Sequence, residues 1–297
     1  MEHQFNGVVG IIGGTGLGQA LLARVRGERL DFDTPFGRPS GSIIRANWEG
    51  VEIAFLARHG EGHTLCPTAV PYRANIYALK TLGVTHIIAS GATGSLREEY
   101  RPRELVIVDQ VIDRTTRREN TFFDRPGLAV HVEFAEPFCP QLRKLMLEAS
   151  RGLEFAAHDG GTYVCMEGPA FSTAAESRLH RSWGGDLIGM TCMPEARLAR
   201  EAEICYALVA LPTDYDSWRP REAGIDRQTL LQEIIGNVEA ATAHCVQLIE
   251  RTLRAMAGQT PPPCGCREAL DLAVWTYRDQ LTPQVMDRYG VLLQRLR

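Results

Sequence analysis

The sequence predicts an α/β fold: a central mixed or parallel β-sheet flanked by helices, continued by a C-terminal helical extension. Three observations carry this. Short apolar runs that read as strands alternate with stretches of helical spacing along most of the chain. The runs at 87–90, 105–108, 162–166 and 205–212 are almost continuously apolar, as strands covered on both faces must be. A hydrophobic content of 44% over 297 residues supports a sizeable core.

Residues 8–12 form the first strand and run into Gly13-Gly14-Thr15-Gly16-Leu17-Gly18, after which 19–25 read as a helix. Strands at 42–46 and 51–56 flank a turn at Glu49-Gly50. Residues 71–82 have helical spacing, with Pro71 suited to a first turn. Next come the strands at 87–90 and 105–108, a long polar, Arg-rich loop over 113–125, and a strand at 162–166. Helices are expected at 140–150, 173–183 and 194–203, a strand at 205–212, and a long helix from about 226 to 256. Thr260-Pro-Pro-Pro263 is a stiff connector. Residues 1–257 are therefore expected to form one main domain, and 258–297 a helical extension packed on it. No internal repeat or low-complexity segment is visible.

A net charge of −4 argues against a nucleic-acid or anionic-membrane partner. No apolar run has the length of a membrane span, and Met-Glu-His-Gln-Phe-Asn lacks the pattern of a secretion signal, so a cytoplasmic protein is expected. The eight cysteines are scattered, and most read as small buried hydrophobes. Only Cys264-Gly265-Cys266 forms a local motif. It reads as an inert loop pair in a reducing compartment, with a redox-active or disulfide-bonded pair as the alternative.

Several segments could carry chemistry. The turn at 13–18 can aim backbone N–H groups and the Thr15 hydroxyl at an anion. It fits neither G-x-G-x-x-G nor the Walker pattern, which disfavours a nicotinamide oxidoreductase. Arg58 supplies a forked permanent charge for phosphate, and His59 adds a donor beside it. His63 lies four residues on, but glycines intervene and no third ligand is evident, so no metal site is expected here. Ser90-Gly91-Ala92-Thr93-Gly94-Ser95 reads equally as an amide-presenting loop and as a plain turn ending a strand. Met190 beside the Thr191 hydroxyl suits a ribose and its phosphate.

The two most informative segments are Glu167-Gly-Pro-Ala-Phe-Ser172 and Thr213-Asp-Tyr-Asp216. Phe171 offers a face for a flat heterocycle. Asp214 and Asp216, two apart on a strand, would share one face. Like charges that close raise one pKa, so one acid can hold a proton for a ring nitrogen while the other accepts from an amine. Purine chemistry is the first reading, and a solvated turn the alternative.

Taken together, these residues resemble the 5′-methylthioadenosine phosphorylases of the trimeric purine nucleoside phosphorylase family. The likeness rests on Gly13-Gly-Thr-Gly16, Arg58-His-Gly60, Gly94-Ser-Leu-Arg-Glu-Glu99, Ala135-Glu-Pro-Phe-Cys-Pro140, Met166-Glu-Gly-Pro169, Met190-Thr191 and Thr213-Asp-Tyr-Asp216, and more weakly on Gly290-Val-Leu-Leu293. The resemblance implies the single-domain phosphorylase fold and attack of inorganic phosphate, as co-substrate, on C1′ of 5′-methylthioadenosine. It implies no metal and no organic cofactor, and a homotrimer or a dimer of trimers. It places Thr15, Arg58, His59, Gly91, Ala92 and Thr191 around phosphate, Phe171 against the purine and Met190 against the ribose. Asp214 would protonate purine N7, while Asp216 and Ser172 would recognise the 6-amino edge. His63, His131 and Leu292 would line the 5′ end, partly from a neighbouring subunit. Relatives acting on 6-oxopurines carry Glu at the Ser172 position and Asn at that of Asp214, so a 6-aminopurine is implied here. Many relatives carry Thr where Gly91 stands, which leaves Ser90 and Thr93 as the nearby hydroxyls. Residues after Trp218, including 219–222, depart from the family pattern. Adenosine, inosine or methylthioinosine as preferred substrate, and a non-catalytic nucleoside-binding protein, are the competing readings.

Overall fold

A computed structural model describes residue 5 and residues 7–219, 226–258 and 262–296. Residues 220–222 of the divergent segment, 260–261 of the expected connector and most of the N-terminal hexapeptide lie outside the described residues.

The chain forms β1 (Val8–Gly13), α1 (Leu17–Arg24), β2 (Glu28–Leu30), β3 (Ile43–Trp48), β4 (Val51–Ala57), α2 (Tyr72–Thr81), β5 (Val84–Ser95), β6 (Leu105–Ile107), β7 (Gln110–Arg114), α3 (Pro140–Ser150), β8 (Ala157–Asp159), β9 (Thr162–Met166), α4 (Ala174–Ser182), β10 (Leu187–Gly189), α5 (Cys192–Glu201), β11 (Cys205–Asp214), α6 (Arg227–Gly258) and α7 (Pro283–Tyr289). The sheet is mixed, with the order β2-β3-β4-β1-β5-β10-β9-β7 and a branch in which β11 pairs β5 and β6, and β6 pairs β8. One core packs α1, α3 and α6 on one side of the sheet. A second core, on the other side, takes in α2, α5 and the C-terminal residues Leu270, Tyr289, Leu292 and Leu293. The mixed α/β sheet expected from the sequence is therefore the one found.

β5 organises the site. It is twelve residues long, where the sequence suggested a four-residue strand followed by a turn. It runs parallel to β1 on one edge and to β11 on the other. The ladder to β1 stops at Ile12–Ala89, and the antiparallel ladder to β10 starts only at Ile188–Gly94. Residues 90–93 therefore have β11 beside them and an open second edge where the chain leaves β1 as the glycine turn. Bound ligands in open α/β sheets collect at such a switch point, and the free edge offers backbone N–H groups.

The Arg-rich segment expected to be a loop begins as β7, parallel to β9, because its first residues are the only partner for that edge of β9. The expected helix at 194–203 is α5, with a break at Met193 (φ −109°, ψ 136°) ahead of Pro194. Among its described residues, the C-terminal segment after α6 contains one short α-helix, α7, and short 3₁₀ segments, the longest of them Gly290–Leu296. Prolines and short apolar groups there permit docking on the core but not a long helix.

Candidate active site

The glycine turn, Arg58, the open edge of β5 and Thr191 meet at one place. A Cβ at Gly14 would lie 2.5 Å from the Ser90 carbonyl oxygen, 2.7 Å from Arg58 Nη1 and 3.2 Å from the Gly91 Cα. That crowding is why glycine stands there. The Gly14 amide points to Ser90 Oγ at 3.4 Å. Gly16, at φ 84°, turns the chain into α1 in a conformation that suits only glycine. At Gly91, a Cβ would rest 3.5 Å from Thr191 Oγ1. The Thr191 hydroxyl thus stands beside the Gly91 backbone, which itself carries no side chain. Thr93 adds a buried Oγ1 without a hydrogen-bond partner among the described residues.

Arg58 is not a free clamp. It is fully buried, with Nε 2.7 Å from Glu195 Oε2, Nη2 2.7 Å from Glu195 Oε1, and Nη1 donating to the Ser90 carbonyl at 2.6 Å. Tyr206 OH donates to the same Glu195 carboxylate at 2.8 Å. Burial opposes the guanidinium charge, but the Glu195 carboxylate outweighs it and holds the Arg58 pKa above its ordinary value. The result is a fixed cation beneath the turn, with some N–H groups still uncommitted.

His59 also departs from the donor expected of it. Its Nδ1 lies 2.8 Å from the Leu65 carbonyl, which fixes that nitrogen as the N–H. Burial, assisted by the neighbouring Arg58 charge, pushes the imidazole down to about 4, so at neutral pH Nε2 is an acceptor. His63 stacks on His59 with ring centroids 4.3 Å apart. Among the described residues, no third ligand side chain joins them to make a metal site.

The two carboxylates come together by a different route from strand alternation. β11 ends at Asp214, and Asp216 sits beyond it at φ 46°, in the left-handed region. The turn nonetheless brings both to Gly94, whose Cβ would lie 3.0 Å from Asp216 Cβ and 3.5 Å from Asp214 Oδ1. Burial, and then the Asp216 charge, push the Asp214 carboxyl up to about 6. Asp216 Oδ2 is buried with no hydrogen-bond partner among the described residues, the state of an acceptor awaiting a ligand. Ser217 Oγ donates to the Ser172 carbonyl at 2.8 Å, tying the buried Ser172 to the same turn. Trp218 Nε1 anchors the far end on the Ser95 carbonyl at 2.8 Å.

The remaining expected residues are spread out. Phe171 is 84% exposed, following the Glu167-Gly-Pro turn. Met190 packs on Gly168, where a Cβ would meet its sulfur at 2.5 Å. His131 is exposed and lies edge-on to Trp275, ring centroids 5.5 Å apart. Leu292 is buried in the core at 1% exposure, because the chain around it docks beneath α2 and α7 rather than reaching outward.

Three residues that hold the site escaped sequence reasoning. Glu195, in the first turn of α5, reads from the sequence as an ordinary acid near a helix start. Arg118 reads as one more loop arginine, yet it donates to the carbonyls of Met190 (2.6 Å), Met193 (2.6 Å) and Glu167 (2.8 Å). Glu167 receives Arg118 Nε at 3.0 Å, Thr68 Oγ1 at 2.8 Å and the Thr116 amide at 2.7 Å. Burial works against its ionisation, but these hydrogen bonds outweigh it and hold the carboxyl at about 2. An acid beginning the Glu-Gly-Pro turn opposite an Arg-rich segment was the available signal.

Residues 8–254 match the family model of the phosphorylase superfamily. The chain is 47% identical over 292 residues to the S-methyl-5′-thioadenosine phosphorylase of Gloeobacter violaceus, covering 97% of this chain and 95% of that one. Its structure is similar to that of a methylthioadenosine phosphorylase from an Antarctic soil metagenomic library: TM-score 0.85, 41% identity, covering 98% and 100% of the two chains. It is also similar to a double mutant of the adenosine/methylthioadenosine phosphorylase of Schistosoma mansoni in complex with adenine: TM-score 0.80, 32% identity, covering 91% and 100%. With a match that spans residues 8–254 and relatives 47% identical over nearly the whole chain, the chain belongs to the phosphorylase superfamily, in its S-methyl-5′-thioadenosine phosphorylase family.

Proposed function

We propose that this protein phosphorolyses S-methyl-5′-thioadenosine to adenine and 5-methylthioribose 1-phosphate. The observation that carries the reading is the spatial sequence of an anion cradle over Arg58, then the free edge of β5, then a buried acid poised near neutrality at Asp214. Phosphate in the cradle attacks C1′ as the C1′–N9 bond breaks, and its negative charge stabilises the positive charge that develops on the sugar. The electron pair of the broken bond passes to the purine, and Asp214 supplies a proton to N7, so that adenine leaves neutral. Asp216 Oδ2 accepts from the 6-amino group, with Ser172 beside it. Met190 lies under the ribose, and Phe171 covers the base. Thr15 and His59 complete the phosphate site, His59 as an acceptor from a protonated phosphate oxygen. The reaction so drawn uses phosphate as co-substrate and calls on no metal or organic cofactor.

The 5′ end is completed from a second subunit. Supporting this, Leu272, Trp275 and Tyr277 are 95%, 71% and 81% exposed in the single chain, and Trp275 lies against His131. Large apolar side chains left exposed in this way support a surface that another subunit covers, and a homotrimer is the assembly this reading takes. Among the described residues no helix is long and apolar enough to cross a membrane.

The test is release of free base from 5′-methylthioadenosine, adenosine, inosine and 5′-methylthioinosine, with and without phosphate. Phosphate-dependent release, fastest from 5′-methylthioadenosine, is expected. Preference for an inosine would overturn the assignment of Ser172 and the aspartates, and no release from any nucleoside would leave a binding protein.

A further inference from the structure

Four cysteines from three separate segments converge at the opposite end of β11 from the aspartates. Cys205 opens β11, Cys139 is the N-cap of α3, and Cys264 and Cys266 flank Gly265 in the segment after α6. All eight cysteines of the chain are free thiols. The four Sγ atoms lie within 4.8 Å of one another. Cys264 Sγ is 3.2 Å from Cys205 Sγ and 3.6 Å from Cys139 Sγ. A tetrahedral ion with metal–sulfur bonds of about 2.3 Å requires sulfurs about 3.8 Å apart along every edge. The observed cluster brackets that value, so small side-chain rotations would suffice.

We infer that Cys139, Cys205, Cys264 and Cys266 form a structural tetrathiolate site for a single thiophilic divalent cation, zinc first. The donor set is all sulfur and tetrahedral, which selects zinc over magnesium or calcium. Cys139, Cys205 and Cys266 are buried, as a closed structural site requires. Cys264 is half-buried and provides the route of entry. Secondary support is in place: the Leu142 amide points to Cys139 Sγ at 3.5 Å. A divalent ion held by four thiolates, their protons released to solvent, leaves a centre of net charge −2. Arg267, the next residue, carries a compensating charge. Local spacing could not reveal this set, because Cys139 and Cys205 precede Cys264 by 125 and 59 residues. The site would bind the C-terminal segment to α3 and β11, outside the catalytic machinery.

The test is metal content of the whole protein, purified under reducing conditions without chelators. About one zinc per chain is expected, with four fewer reactive thiols than after metal removal. Reconstitution with Co²⁺ should give the intense absorption of tetrahedral thiolate-bound cobalt, which the double variant Cys264→Ser/Cys266→Ser should lack. That variant should retain base-releasing activity, if any is found in the wild type, but unfold at lower temperature. Because the wild-type cobalt spectrum does not depend on the variant folding or on the proposed reaction, its outcome decides the matter alone. A reduced, folded protein with no metal and no cobalt–thiolate band would overturn the inference. So would thiols that are blocked as disulfides and recovered by reductant without metal release.

Discussion

Replacing Glu195 with Ala isolates the Arg58 charge at the bottom of the phosphate cradle. The guanidinium is fully buried, and two of its nitrogens have only Glu195 as partner at 2.7 Å. Tyr206 OH loses its acceptor in the same step. Breaking a buried pair on one side costs about 3–5 kcal/mol, because a desolvated charge is left without compensation. Over 297 residues, an unfolding entropy of about 2.1 cal/mol/K per residue converts each kcal/mol into about 1.6 °C, or about 5–8 °C in total. Thermal unfolding of Glu195→Ala with and without phosphate is the assay. Phosphate should stabilise the variant more than the wild type, since it becomes the only anion near Arg58. The double variant Arg58→Met/Glu195→Met should regain most of the stability yet lose phosphate use. A single variant within about 1 kcal/mol of wild type, or a double variant no more stable than the single, would refute the reasoning.

Other outcomes follow from the same geometry. Asp214→Asn should lower adenine release by about 10²–10⁴-fold, the usual contribution of a general acid. It should also stabilise the fold at pH 7. The folded pKa is raised from 3.8 to about 6, so the native state holds the extra proton, and stability falls as pH rises through that window. Thermal midpoints at pH 4 and 7 read this directly; a variant less stable than wild type at pH 7 would contradict it. In the wild type, kcat/KM should decline above about pH 6 as Asp214 loses its proton, a limb that Asp214→Asn should lack. Arg118→Lys keeps the charge but cannot reach three carbonyls and Glu167 at once. It should raise the nucleoside KM while leaving the phosphate KM nearly unchanged, and equal effects on both would remove its positioning role.

Much of the fold was legible because its strands are short apolar runs bounded by glycine or proline. β9 and α3 fall where periodicity puts them. β5 was cut short in the sequence reading because Gly91 and Gly94 look like punctuation. Gly94 instead reflects close approach by the aspartate turn and Ile188, while Gly91 has room for a Cβ and leaves the strand continuous. β2 and β8 are three-residue edge pieces, too short for any period to register. In the site, the aspartates and the glycine turn declared themselves through local spacing. Glu195, Arg118 and the four cysteines did not: Glu195 pairs with Arg58 137 residues away, Arg118 with Glu167 49 away, and Cys139 meets Cys264 125 away. A charged residue in a helix reads as solvated until its burial is known. Leu292, assigned to the 5′ end by resemblance alone, lies in the core of its own chain, a burial that its local sequence does not announce.

The most direct test of phosphorolysis at this site is the fate of phosphate during turnover of 5′-methylthioadenosine, followed by phosphorus NMR. The account predicts a sugar 1-phosphate resonance growing in step with adenine, at the expense of inorganic phosphate. Adenine appearing with free 5-methylthioribose and unchanged phosphate would contradict it, and would make water rather than phosphate the nucleophile in the cradle above Arg58.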